Sequence, residues 1–335
     1  KGKITRTGGK TDFAGIDRLC EKLNADDAVA IEACNLAFRI ERAIRKSVGC
    51  KVCIMNAGRL AVIYMSTRKT DKEDSLKLAK LLKNHDEDEL PIVTPPSDEA
   101  WERRKLLSEY RSLKGMRTRE INKLHAIFEH NGYTQFVRKD MSNEKNRANI
   151  LPLLKGYEKA ERLIERLSVL EKQIKQLLHK INAEVEKDTK IQKAMTVPGV
   201  GPITALAYVA HVGDVKRFKN AHQVSNFIGF VPKVDNSCTI CRSGHTTKRG
   251  NPLLRSLLVQ AAWSTVRSKA GGALREKYTY MAETRCIGKG KSIVTTARKL
   301  GELLYLILKT DQDYKPQKFI IPESKISKLT GEALN

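Results

Sequence analysis

Ala28-Val29-Ala30-Ile31-Glu32 is a short apolar run closed by an acid, the pattern of a buried strand in an α/β sheet. Lys51-Val52-Cys53-Ile54-Met55-Asn56 reads as a second strand. Between the two, Leu36, Ile40, Ala43 and Ile44 recur at helical spacing on the way to Ser47. Strand–helix–strand is therefore the predicted unit. Downstream of it, Pro91, Pro95 and Pro96 punctuate the chain, and Ser97-Asp98-Glu99 starts a helix that Asn131-Gly132 should stop. Ala160, Leu163, Leu167, Leu170, Ile174, Leu177 and Ile181 then recur every three or four residues. That three-heptad seam predicts a coiled coil, within the chain or with a second copy, while a long helix packed on its own domain is the plainer alternative. The remainder reads as mostly helical with glycine-containing turns, ending in a polar tail. The expected class is α/β plus α, divided into an α/β domain over 1–95, a helical coiled-coil region over 96–189, a mainly helical domain over 190–310 and a tail over 311–335.

The chain of 335 residues carries 62 Lys+Arg against 38 Asp+Glu, a formal charge of +24, and such an excess on a folded protein points to a polyanionic partner. A hydrophobic share of 41% is enough for a core, so wholesale disorder is excluded. No apolar stretch approaches the ~18 residues of a membrane span. The sequence opens at Lys1 with neither Met nor an apolar leader, so no secretory signal is visible. Seven cysteines, an odd and sparse number, argue against a disulfide framework and for a reducing compartment.

Three stretches could carry chemistry. Thr70-Asp71-Lys72-Glu73-Asp74 fits a capping box ahead of a helical run, placing Asp71 and Asp74 on one face of its first turn. Two such carboxylates in a basic protein can hold Mg²⁺ through oxygen, although acids in a first turn often do no more than favour the helix dipole. Glu32, at the end of a strand where α/β sheets bind ligands, extends that acidic set. Second, Val197-Pro198-Gly199-Val200-Gly201-Pro202 lies between two helical patterns in the manner of a helix–hairpin–helix. Gly199 and Gly201 would let backbone approach a phosphate, or would simply close a structural αα-turn. Third, a polar loop is expected from Gly229 through Ser237 to Gly244. It leads to Lys248-Arg249-Gly250-Asn251-Pro252, in which Asn251 caps a helix and Lys248 and Arg249 suit a nucleic-acid phosphate. Ser237 is a candidate nucleophile. The pairs Cys50/Cys53 and Cys238/Cys241 lie too far apart for a zinc ribbon, and Gly288-Lys289-Gly290-Lys291-Ser292 lacks P-loop spacing.

Taken in order, Ala30-Ile31-Glu32-Ala33, Lys69-Thr70-Asp71-x-x-Asp74, the Val-Pro-Gly-Val-Gly-Pro turn, the Gly-Phe-Val-Pro loop and Lys248-Arg249-Gly250-Asn251 resemble the DEDD transposases of insertion sequences, bridge-RNA-guided recombinases. The resemblance spans nearly all of residues 1–310. It implies a RuvC-like, RNase-H-type N-terminal domain, a coiled-coil linker and a C-terminal transposase domain that share an active site. It also implies Mg²⁺, donor and target DNA, a structured guide RNA, a tetrameric or dimer-of-dimers assembly, and a bacterial or archaeal cytoplasm with nucleoid association. On this resemblance Glu32, Asp71 and Asp74 match the second, third and fourth acids, and Ser237 matches the serine nucleophile, with Ser243 as fallback. The first acid should sit in a Gly-Ile/Leu-Asp strand well upstream of Glu32. Asp17 imitates that setting but falls too close to Glu32, so the original first strand and its Asp are expected to be missing. The rival expectations are a RuvC-type metal-dependent nuclease in which water attacks, and a non-catalytic nucleic-acid-binding remnant.

Overall fold

The computed structural model describes residues 4–56, 58–60, 70–237 and 240–316, with backbone alone over 233–237 and 240–243. Lys69, Cys238 and the tail from Gln317 onward, all part of the expectations above, lie outside the described residues. The chain divides into two compact units, Lys1–Pro96 and Ser97–Asn335.

In the first unit, α1 (Phe13–Cys20) precedes β1 (Ala28–Glu32), α2 (Ala37–Ser47) and β2 (Lys51–Met55). The strands pair in parallel, from Ala28 opposite Lys51 to Glu32 opposite Met55, as a βαβ crossover requires. The segment after the acidic helix adds an antiparallel edge to β2: Val93 N–H donates to Ile54 O at 2.7 Å, and Asn56 N–H to Pro91 O at 2.8 Å. α3 (Asp71–Asn84) is capped by Thr70, whose Oγ1 accepts from Glu73 N–H at 3.3 Å. It packs Leu78, Leu81 and Leu82 over Ala30, Cys53 and Met55, so its apolar stripe is the face that covers the sheet.

In the second unit, α4 (Asp98–His130) runs from the Ser97 cap to Asn131, as its start and stop signals predict. After two short helices, α5 (Arg138–Ser142) and α6 (Glu144–Ile150), the chain returns along α7 (Glu158–Lys187). The pairing is antiparallel: Arg103 near the start of α4 binds Glu184 in the last turn of α7 and Asp188 just past its end, whereas Arg117 and Arg147 meet Glu171 midway. Ala160, Leu163 and Leu167 pack with Ile121, Leu124 and Phe128 of α4. The heptad seam is therefore used inside the chain, with Leu170 only half-buried.

The rest of the unit closes around α8 (Thr189–Met195), α9 (Pro202–Val212), α10 (Ala221–Ile228), α11 (Pro252–Arg267), α12 (Gly272–Thr279) and α13 (Lys289–Thr310). Its two fully buried tyrosines each satisfy their hydroxyl. Tyr208 donates to Gly301 O at 2.6 Å and Tyr305 to Phe218 O at 3.0 Å.

One expectation needs correction. The stretch read as a polar loop from Gly229 is a β-hairpin, β3 (Pro232–Ser237) antiparallel to β4 (Ile240–Thr246). Its ladder is made by backbone groups, and the polar side chains Lys233, Asp235, Asn236 and Arg242 give no apolar alternation from which strands could be read.

Candidate functional site

Glu32 ends β1 and is exposed; Asp71 is exposed and Asp74 half-buried in the first turn of α3, with Asp74 Oδ1 3.5 Å from Lys77 Nζ. α3 lies along β1, the two bordering a cavity of about 330 Å³ lined by Ala28, Ala30, Ser75, Ala79, Leu82 and Lys83. The three acids thus sit on neighbouring elements, yet among the described residues no group of three or more His, Cys, Asp or Glu side chains gathers as a metal cluster. Cys50 and Cys53 are buried, and burial pushes both thiols up, away from the thiolate that zinc requires.

The Pro-Gly-Val-Gly-Pro turn connects α8 to α9 and treats its two glycines differently. Gly199 is left-handed, at φ +90°, and presses against α11: a Cβ there would lie 2.5 Å from Thr265 N and 2.8 Å from Ala261 O. Thr265 Oγ1 donates to the adjacent Pro198 O at 2.7 Å. The close approach foreseen for a phosphate is therefore made by Gly199 to a helix backbone. Gly201, the N-cap of α9, has nothing within 4 Å of its Cβ position and stays open.

Lys248 and Arg249 are exposed on a turn held from below. α10 ends at Gly229 in the left-handed region, and a Cβ on Gly250 would lie 2.2 Å from Ile228 O, so only a glycine fits against that carbonyl. Arg255 Nη1 donates to Ile228 O at 3.1 Å and to Gly250 O at 2.5 Å. Asn251 caps α11 as predicted, its Oδ1 accepting from Leu253 N–H at 2.8 Å and Leu254 N–H at 3.2 Å. The turn is rigid at its base and cationic at its rim, which suits backbone positioning. Ser237 is the last residue of β3, paired with Ile240 across the hairpin end, and Ser243 lies in β4 opposite Val234.

Two residues escape sequence reading. The Asn251 amide nitrogen lies 3.1 Å from His211 Nδ1 in the last turn of α9. Arg104 of α4 donates from Nε to Ala210 O at 2.8 Å and from Nη2 to His211 O at 3.4 Å. Burial first, and the Arg104 charge second, push His211 down to about 4. A histidine whose folded pKa is depressed contributes stability that is complete above its ordinary 6.5 and lost as pH falls through about 4. Between those values the chain is expected to lose roughly 2 kcal/mol, allowing for solvent screening. Urea midpoints at pH 7 and pH 4.5 check this, since His211→Gln should flatten that part of the slope; an unchanged slope would remove His211 from the account.

A family model described as "Transposase IS116/IS110/IS902 family" matches residues 191–279, and a DEDD-type model described as "Transposase" matches residues 4–130. A "Probable family 20 transposase" of Pseudomonas aeruginosa is 30% identical over 154 residues, covering 46% of this chain and 46% of the relative. The "Transposase for insertion sequence element IS1111A" of Coxiella burnetii is 25% identical over 262 residues, covering 75% and 70%. The "Transposase for insertion sequence element IS1328" of Yersinia enterocolitica is 24% identical over 198 residues, covering 58% and 59%. The chain thus spans less than half of the first of these relatives.

Proposed function

Because the chain belongs to the DEDD transposases of insertion sequences, we propose that it serves in cutting and rejoining DNA strands, with Ser237 as the nucleophile. One observation carries the reading: two transposase models match one chain in order. The first match, 4–130, contains Glu32, Asp71 and Asp74, and the second, 191–279, contains Gly199, Gly201, Ser237, Lys248 and Arg249.

Ser237 Oγ attacks the phosphorus of a phosphodiester. The Oγ–P bond forms as the P–O3′ bond breaks, the serine proton passes to solvent, and the departing 3′ oxygen takes up a proton. The products are a 5′-phosphoserine and a free 3′ hydroxyl able to attack a second strand. Lys248 and Arg249 hold phosphates on either side without reading bases. The helix–turn–helix of α8 and α9 acts as a helix–hairpin–helix whose open member, Gly201, faces the backbone.

Carboxylate oxygens are hard donors, and magnesium takes one or two of them while keeping waters and substrate phosphates, so a closed three-acid cluster is not required. Asp71, Asp74 and Glu32 are the residues that would hold the ion, and bound there it would supply positive charge to phosphate oxygens. Sequence choice by a structured guide RNA, assembly into dimers or tetramers, and the RuvC-like identity of the first unit complete the proposal; family membership is their support.

The test is incubation with ³²P-labelled target DNA and guide RNA, followed by proteolysis. Label retained on a peptide containing Ser237, and absent with Ser237→Ala, is the expected result. Cleavage without retained label rejects the serine in favour of water, and label retained by the Ser237→Ala protein moves the nucleophile to another residue, Ser243 being the first to replace.

A further inference from the structure

Where the end of α4 meets the start of α7, a groove of about 630 Å³ runs between the two helices. Helix α4 lends it Lys123, Ile127 and His130, which share one helical face. From α7 come Lys159, Arg162, Leu163 and Arg166, again a single face. Tyr157, the N-cap of α7, also lines the groove and is 40% exposed. Ile127 and Leu163 are buried in the core that joins the helices, so the groove has a fixed apolar floor. Among the described residues no carboxylate lines it.

Charge is segregated along this part of α7. Glu158, Glu161 and Glu165 fall on one side at helical spacing, and none of them lines the groove. Each is followed at once by a cation, Lys159, Arg162 or Arg166, that does. Glu158 lies 3.0 Å from Arg162, and Glu120 of α4 lies 2.7 Å from Lys123 and 3.8 Å from Arg166. The three cations are each more than half exposed, and exposed pairs of this kind are weak, so a phosphate displaces them readily. The positive end of α7 and the negative end of α4 meet here, so their dipoles offset and side chains set the potential. Seven residues of helix rise about 10 Å, over which one strand carries about two or three phosphates. Arg162 and Arg166 offer forked donors to phosphate oxygens, and the exposed Tyr157 ring offers a face to an unpaired base. Duplex phosphates or acidic side chains would meet the cations, but neither brings a flat face to that ring.

We propose that this groove binds a single nucleic-acid strand, with Lys123, Lys159, Arg162 and Arg166 on its phosphates and Tyr157 against a base. The site rests on the transposase reading for its class of ligand. It extends that reading to residues 157–166, which lie between the two family matches and which the mechanism above does not use. DNA and RNA share this chemistry, and the probes below tell them apart.

The experiment measures anisotropy of fluorescein-labelled 30-mers (single-stranded DNA, single-stranded RNA and duplex DNA) and of labelled polyglutamate with the whole chain from 50 to 300 mM NaCl. The double variant Lys159→Gln/Arg162→Gln is expected to weaken single strands more than about tenfold and to lower their salt slope by about 1.4. Lys172→Gln/Lys175→Gln removes the same charge from exposed positions of α7 outside the groove, and should leave that slope nearly unchanged. Tyr157→Ala should weaken the single strands about fivefold or more and spare the duplex. Thermal unfolding of each variant separates lost binding from lost fold. Losses on single strands in the groove variants alone support the site, and losses confined to DNA or to RNA name the strand that occupies it. Equal losses in the groove and control pairs, or none in a folded groove variant, overturn the site and leave the transposase reading in place. Weakening of polyglutamate alone overturns it in favour of an acidic peptide. Failure of the wild-type chain to bind any nucleic-acid probe overturns the transposase reading with it.

Discussion

Replacing Gly199 by alanine is expected to lower the stability of the second unit by roughly 3–5 kcal/mol, as the sum of left-handed strain and overpacking. The position fails alanine on both counts. Its φ is +90°, and the added Cβ would meet Thr265 N at 2.5 Å, Thr265 Oγ1 at 2.7 Å and Ala261 O at 2.8 Å. None of these can retreat cheaply. Thr265 and Ala261 belong to α11, whose Leu254, Leu258 and Ala262 are buried in the same core as Val197 and Val200 of the turn. Pushing the turn away would also break the bond from Thr265 Oγ1 to Pro198 O. Gly201→Ala is the matched control: with no atom within 4 Å of its Cβ position and a negative φ, it should cost under ~1 kcal/mol. Urea denaturation of both variants decides the matter. Equal midpoints would mean that the turn yields freely and that Gly199 is not a packing residue.

The second large effect is at Glu171. Its carboxylate takes Arg147 through two bonds, 2.7 and 3.3 Å, and Arg117 Nε at 2.9 Å, so that α4, α6 and α7 meet on one side chain. The Arg147 side chain is 4% exposed, with Met141 O at 2.9 Å as its other partner. Glu171→Ala would leave that guanidinium buried and uncompensated, and a loss of about 3 kcal/mol is expected. Burial opposes ionisation of Glu171, but the bonds from Arg147 and then Arg117 outweigh it and hold the carboxyl below its usual 4.5. Its contribution is therefore complete above pH 4.5 and is lost as pH falls through the depressed folded value. Wild-type and Glu171→Ala stabilities should differ most at neutral pH and converge in acid; a constant gap from pH 7 to pH 3 would show that the carboxylate charge is not what matters.

These residues mark how far the sequence could be read. The apolar run Ala28–Glu32, the strand read at Lys51–Asn56 and the helical periodicity of Leu36–Ser47 placed the βαβ unit, and Thr70, Ser97 and Asn251 each cap the helix that follows them. The acids Glu32, Asp71 and Asp74 were legible for the same reason, as strand-end and first-turn residues. The hairpin Pro232–Thr246 was not legible, because its ladder is made by backbone atoms that every polar sequence also possesses.

What the sequence determined by itself is the set of elements, their capped ends and the excess of positive charge. All of these depend on neighbours within a turn or two, where sterics and local hydrogen bonds act before the chain is folded. The tertiary structure alone decided that the heptad seam pairs with Asp98–His130, that Gly199 meets Thr265, and that Arg104 reaches His211 from 107 residues away. Such contacts are selected by which apolar faces close on one another, and a pattern confined to one segment carries no information about the partner it will meet.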